Sequence, residues 1–456
     1  MPAPRPGRLA ALVLAACAPP LAGQATVPVG FPPSLVITNY ERVRPGEQEA
    51  LEGGAVVARV SGAAANWYNP AGLAAADKSS VNASSTAYDW QVVRLEGLGE
   101  TRSSSALRTN GSYFGVAIAD GPLKAPSRWR AGFAVARPFA WRPGTISGGA
   151  AVGSASSSYS SEGSFTSFAP ILAAAYRLRP DLRVGASVTG SVVSTEIKNT
   201  FAARNIDGTT FASSLQTASG SGSSWNLVLA GGLQWDATDR VQVGVVVKAP
   251  SLHVYGPGNA LIQNRATTAA GSTEVDLRDP DATYRWKEPF QVHGGLAWSP
   301  GPATLELNVR YYAPIGEWEW LAVDTTAVVV TVPVGQPPVV SNVAVPPGLN
   351  RTRAVTNVSI GGNVRLSRAI RFHVGAFSDR SPQASDSSAV FRQVDFYGAT
   401  AGLSGTVKGF TGSLGLGYQG GSGGEQRIGT ASDGTPIVTR LSVSTLSLLY
   451  ALSIRF

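Results

Sequence analysis

LSLLYALSIRF, residues 446–456, closes the chain, and its spacing decides the fold. Counting back from the end, Phe456, Ile454, Leu452, Tyr450, Leu448 and Leu446 fall on one face. Arg455, Ser453, Ala451 and Ser447 fall on the other, with Leu449 the one apolar exception. Successive side chains of a β-strand point to opposite faces, so this period of two describes a strand with one apolar side. Its length is roughly that of a tilted strand crossing a bilayer, ~9–11 residues.

The same texture recurs upstream. Val184, Ala186, Val188 and Val192 alternate with Gly185, Ser187, Thr189 and Ser191. Val241, Val243, Val245 and Val247 oppose Gln242, Gly244, Val246 and Lys248, and Leu305, Leu307, Val309 and Tyr311 oppose Glu306, Asn308, Arg310 and Tyr312. A water-soluble sandwich alternates in the same way, core against solvent. Length separates the two, because these runs last ~9–11 residues against ~5–6 for soluble strands. Composition agrees: glycine is 52 of 456 residues and charged residues are 14%, against averages of ~7% and ~25%. Beyond the first 25 residues no apolar stretch approaches the ~18 of a spanning helix, which leaves the closed sheet as the architecture a bilayer admits. The expected fold is all-β, a transmembrane antiparallel β-barrel of about fourteen strands between Val81 and Phe456.

Short turns alternate with long polar connections. Arg179-Pro180-Asp181, residues 236–239, residues 300–302 and Ser367-Arg368 are tight. Residues 148–164, 203–223, 256–285, 322–351 and 420–440 are rich in Gly, Ser, Thr and Asn and read as long loops. Short turns facing the periplasm and long loops facing outward are the asymmetry expected of such barrels. Trp129, Trp141, Trp225, Trp235, Trp286, Trp298 and Trp318 fall near strand ends, as interfacial girdles do. A final aromatic residue on an alternating strand also resembles the signal by which outer-membrane barrels are recognised for assembly. The expected location is therefore the outer membrane, with its lipid, its lipopolysaccharide and the barrel assembly machinery as partners.

The opposite end supports export. Arg5 and Arg8 precede an apolar run from Leu9 to Ala16 and small residues around Pro19 to Ala25, the order of a cleaved signal peptide over residues 1–25. Leu14-Ala15-Ala16-Cys17 also resembles a lipoprotein cleavage box, with Cys17 as the lipidated residue. Cys17 is the one cysteine of the chain, so the mature protein has no intrachain disulfide and no thiolate metal site. The net charge of +8 is spread without a basic run, which gives nucleic-acid binding little support.

Residues 26–77 differ from everything after them, and residues 78–456 form the expected barrel. Between Glu47 and Asp77 the text is Ala-rich and helix-compatible, and Asn69-Pro70 reads as a cap followed by a first-turn proline. The stretch SGAAANWYNPAGLA, residues 61–74, resembles the N-terminal hatch motif of the FadL-type long-chain fatty-acid transporter family. Residues 232–256 and 357–382 are similar to that family's glycine-bearing hairpins. The insertions at 148–164 and 322–351 depart from its pattern. The resemblance implies a barrel closed near its periplasmic end by a small helical hatch. It implies capture of a long-chain fatty acid or similar apolar compound outside and sideways release through the wall, in a monomer. Tyr68, Asn69, Pro70, Ala71, Gly72 and Leu73 are then the candidate pocket gate. For an anionic head group, lumen-facing Lys248 or Arg310 is a candidate partner, although a lumenal cation more often pairs with an acid such as Glu306.

No catalytic residue, cofactor or metal site is expected. An enzyme of the outer membrane needs a His beside Ser, Asp or Asn near the rim. Of His253, His293 and His373, the last two fall on the lumen side of their strands, and His253 near Ser251 is the one candidate. No His/Cys/Asp/Glu group has metal spacing. A general porin and a non-transporting scaffold or secretion component remain as rivals. The first would show charged constriction rings, and the second would use the loop 322–351.

Overall fold

The computed structural model describes residues 36, 38–98, 100–119, 128–142, 145–152, 155–207, 210–384, 393–430 and 436–456. The expected signal peptide and Cys17 lie outside the described residues.

Fourteen antiparallel strands close into a barrel. In chain order they are β1 (Ser80–Leu98), β2 (Glu100–Ile118), β3 (Trp129–Ala136), β4 (Ala155–Arg179), β5 (Leu182–Asp207), β6 (Thr210–Asp236) and β7 (Val241–Lys248). There follow β8 (Gln291–Trp298), β9 (Ala303–Tyr312), β10 (Val355–Arg365), β11 (Ile370–Asp379), β12 (Val394–Val407), β13 (Phe410–Thr430) and β14 (Pro436–Arg455). Closure is made by β1 against β14, in register from Ser80↔Arg455 to Glu96↔Arg440. The sheet has no free edge at that seam, because the facing ladders of β1 and β14 pair with each other.

Leu305, Leu307, Val309 and Tyr311 of β9 are exposed on the outer surface, while Glu306, Asn308, Arg310 and Tyr312 are buried in the lumen. On β14 Leu446, Tyr450, Leu452 and Phe456 point out, and Ala451 and Ser453 point in. Apolar outward and polar inward is the orientation a lipid-bathed barrel requires. Trp129, Trp225, Trp235 and Trp298 join the outer surface, but Trp141, Trp286 and Trp318 are buried inside. The girdle expected for these last three is corrected: proximity to a strand end does not set the face.

The long polar connections are corrected as well. Residues 203–223 are the paired upper halves of β5 and β6, which run 26 and 27 residues. Residues 155–164 and 420–430 belong to β4 and β13. Gly, Ser and Thr make these segments read as loops, yet cross-strand pairing satisfies their backbone and carries the wall beyond the membrane. Past β7, Leu252–Tyr255 and Gly258–Thr268 turn back along β6. Gly271–Asp279, Thr326–Pro333 and Val339–Ala344 then extend the sheet. A separate small sheet joins Thr283–Tyr284, Ile315–Ala322 and Gly348–Thr352.

The segment before β1 lies within the lumen near the short-turn end. It contains α1 (Gln48–Leu51), a 3₁₀ turn (Gly62–Ala64), α2 (Ala65–Tyr68) and a 3₁₀ helix (Pro70–Ala75). Asn69 caps the last of these by accepting from the Ala71 N–H at 3.1 Å, with Pro70 in the first turn. That helix sits against β4, β5 and β6, and the wall is carved for it. A Cβ at Gly185 would overlap the Pro70 backbone, and one at Gly232 would overlap the Asn69 side chain. Small residues therefore occur at this level because another chain segment already fills the space.

Candidate functional site: a cavity between the N-terminal segment and the barrel wall

The inner wall changes character along its length. Beside the N-terminal segment β4 offers Ala173 and Ala175, and β5 offers Gly185 and Ser187. Toward the loop end the same two strands present Tyr159, Phe165, Val193, Ile197 and Phe201. Here the large side chains pack on one another. Phe139 and Phe165 meet edge to face at 4.6 Å, Phe165 and Trp286 at 4.7 Å, and Trp286 and Trp318 at 6.2 Å. Such edge contacts are favourable for rings beyond their buried area. An aromatic column thus descends from the loop end.

The column ends on a cavity of about 120 Å³, bounded by Phe139, Phe165 and Trp286 above and by Tyr40, Trp67 and Tyr68 of the N-terminal segment below. A second cavity of about 50 Å³ continues toward Pro70, Ala169, Ile171 and Val228. Trp67, Pro138, Ser191, Lys248 and Glu288 border both. They form a waist.

Below the waist the lumen is polar, and several of its buried groups are paired in networks. The Arg310 guanidinium donates to the Glu41 carboxylate and to the Gly54 carbonyl. Glu41 also accepts from the Tyr312 hydroxyl at 2.9 Å and from Asn357 at 3.1 Å. Burial alone would raise the Glu41 carboxyl, but Arg310 and Arg44 outweigh it and hold it below the usual carboxylate range. Glu306 accepts from the Ala58 N–H at 2.8 Å and from Asn308 at 2.6 Å, and pairs with Arg59 at 3.0 Å. Arg59 pairs also with Glu52, which contacts His373 Nδ1 at 2.6 Å. Arg310 therefore pairs with Glu41 rather than Glu306. Four residues along one strand separate Arg310 from Glu306 by ~13 Å, so same-face neighbours at that spacing reach the lumenal segment instead of each other. These groups tie the segment to the wall.

The sequence-selected residues divide in two. Tyr68 borders the larger cavity while its hydroxyl donates to the Pro45 carbonyl at 2.6 Å, and Pro70 borders the smaller one. Asn69, Ala71, Gly72 and Leu73 are buried in contact with the wall and the rest of the segment, and Asn69 donates to the carbonyls of Val57 and Leu233. Lys248 stands at the waist, its ammonium 4.8 Å from the Trp67 ring centroid. Sequence reasoning missed Tyr40, Trp67, Glu288 and the inward Trp286. No local pattern marks them, because they meet across the lumen.

His253 contacts Ser224 at 3.2 Å and Asn226 at 3.3 Å, but both contacts fall on Nδ1. A relay needs the orienting group and the nucleophile on opposite ring nitrogens. Ser224 also accepts from the Trp286 N–H at 3.0 Å. This trio is a hydrogen-bonded corner.

No family model matches the chain, and no curated protein sequence does. Solved structures do. The chain is similar to the Ralstonia pickettii toluene transporter TbuX, at 16% identity over 92% of this chain and 99% of that one, with a TM-score of 0.56. It is similar to the Pseudomonas putida toluene transporter TodX at 14% identity over 92% and 99%, TM-score 0.58. A Pseudomonas aeruginosa FadL homologue aligns at 11% identity over 92% and 100%, TM-score 0.59. At these identities the likeness is one of fold, and the fold is that of the FadL-type barrels.

Proposed function

We propose that the protein is an outer-membrane transporter of small hydrophobic molecules, taken up at the loop end and released sideways through the wall. The aromatic column ending on the waist carries this reading. An apolar solute descending it exchanges water for ring faces at every step. The larger cavity, about 120 Å³, is close to the ~150 Å³ apolar cavity that takes up benzene. One aromatic ring fills it, and a long acyl chain overruns it. The toluene transporters of the same fold are in keeping with that size. In this reading the N-terminal segment is the plug and Tyr68 to Leu73 gate the lower cavity.

The exit is read from strand pairing. Among the described residues β2 pairs with β3 from Tyr113↔Ala136 to Ile118↔Ala131, although β2 begins at Glu100. β3 stops at Ala136, and Pro138, which has no N–H for a ladder, borders both cavities. In this reading the wall parts where the β2–β3 ladder ends, and the solute leaves there from the cavities to the bilayer. With Pro138→Ala a donor returns and uptake falls; unchanged uptake would put the exit elsewhere.

The deciding experiment is uptake of labelled toluene and of a labelled long-chain fatty acid into vesicles carrying the purified barrel. Toluene enters faster than through protein-free vesicles and is slowed by Trp286→Ala. A large steady ionic current across a planar bilayer would instead make the protein a general porin. Neither uptake nor current would leave the scaffold reading.

A further inference from the structure

Resting on the transport reading, we propose that the waist selects ring compounds bearing one uncharged hydroxyl, of the phenol class, over plain hydrocarbons and over aromatic carboxylates.

The waist is polar on two sides. Lys248 at the end of β7 and Glu288 in the segment leading to β8 both border the two cavities. Each feels the other's charge. Among the described residues, however, no ion pair or hydrogen bond joins Lys248 to an acid, and its contact is the Trp67 ring. Glu288 accepts from the Ser191 hydroxyl, and its own N–H donates to the Ser251 hydroxyl at 2.8 Å. A third group points the same way. His293 is 7% exposed, borders the larger cavity, and its buried Nε2 has no hydrogen-bond partner among the described residues. A donor, an acceptor and a histidine nitrogen therefore border a space whose other walls are aromatic rings on one side and the Glu41, Arg44 and Arg310 group on the other.

The ligand chemistry follows from what each class leaves unpaired. A hydrocarbon drives water off the three groups and replaces none of its hydrogen bonds, which is costly in a dry site. A carboxylate suits Lys248 and the Arg44 guanidinium but confronts the carboxylates of both Glu288 and Glu41, which border the same cavity, and like charges in such surroundings repel strongly. A hydroxyl donates to Glu288 while accepting from Lys248 or His293, and its ring lies against Trp67 and Tyr40. Burial pushes the Glu288 carboxyl above its usual range, partly offset by Ser191 and Lys248. A hydroxyl is donor and acceptor at once, so it is satisfied whichever way that carboxyl titrates.

The test compares three ligands with one ring and one methyl group: toluene, p-cresol and p-toluate. Binding to the purified full-length barrel in detergent is followed by tryptophan fluorescence and calorimetry. The expected order puts p-cresol ~10-fold tighter than either of the others, the scale of one good hydrogen bond to a charged group. Lys248→Met and Glu288→Leu each abolish the preference, bringing p-cresol and toluene within about twofold of each other, with heat-modifiable gel migration confirming a folded barrel. Equal binding of toluene and p-cresol to the wild type overturns the selectivity while leaving the transport reading intact. Tightest binding of p-toluate overturns it in favour of an anion site. Failure of all three to bind overturns both.

Discussion

Asn69 shows how much one side chain can hold. It is fully buried, donates to Val57 and Leu233, and accepts from Ala71. Asn69→Ala takes the acceptor from the Ala71 N–H and one donor from each carbonyl, of which Val57 keeps Gln234 at 3.3 Å; a buried group left unsatisfied costs ~1–3 kcal/mol. The expected result is a barrel that still forms but whose N-terminal segment becomes sensitive to added protease. A protease pattern identical to wild type would remove Asn69 from the list of anchors. Glu49 supplies a pH signature. Burial and the neighbouring Glu47 carboxylate push its carboxyl from the ordinary 4.5 up to about 7. An acid whose pKa is raised by folding favours the folded state while protonated. The segment therefore holds most firmly below pH 4.5, loosens as pH rises toward 7, and changes little above. Glu49→Gln flattens that slope, and hydrogen exchange of residues 46–54 across this range measures it. The anchor pairs were beyond sequence reading for a simple reason: Glu41 and Arg310 are 269 positions apart, and nothing local links them.

At the scale of the element, the strand is the unit that sequence describes best. The alternation on β9 and β14 announced which residues face lipid, since a strand's two faces are set by parity alone. Leu307 lies outward and the neighbouring Asn308 inward. Leu307→Arg puts a cation against hydrocarbon, at ~2–4 kcal/mol near the bilayer midplane. It is expected to lower the denaturant midpoint for unfolding from vesicles; an unchanged midpoint would mean that this face of β9 does not meet lipid. Parity was less informative where both faces are small and polar. Residues 203–223, the far end of β5 and the first part of β6, are mostly Ser, Thr, Gly and Ala, so they looked like a loop. For Trp141, Trp286 and Trp318 a count along the chain names a face but not what fills it, and here the filling is other aromatics.

For the whole molecule, the architecture was legible because closure, strand length and an apolar outer surface follow from one requirement, that no backbone group meets lipid unpaired. The cavity was not, because its two halves come from the lumenal segment and the wall. Removing residues 26–77 tests that division of labour. The remaining barrel keeps its ladder but loses the groups that satisfy Glu306, Asn308, Arg310 and Thr400. The expected outcome is a large, steady ionic conductance where the intact protein shows little; equal conductance of the two forms would mean that the segment does not obstruct the lumen.

The seam between β1 and β14 fixes an order of events in time. Its ladder begins at Ser80↔Arg455, and the Phe456 N–H donates to the Ser79 carbonyl at 3.0 Å. The contact that shuts the cylinder thus joins the first and last strands of the barrel, and pairings of such long range form late because they must first overcome loop-closure entropy. Once this seam forms, the lumenal segment, covalently continuous with β1, can no longer pass sideways through it and exchanges only through an end of the barrel. The closing strand acts as the latch on a chamber whose occupant is the chain's own upstream segment.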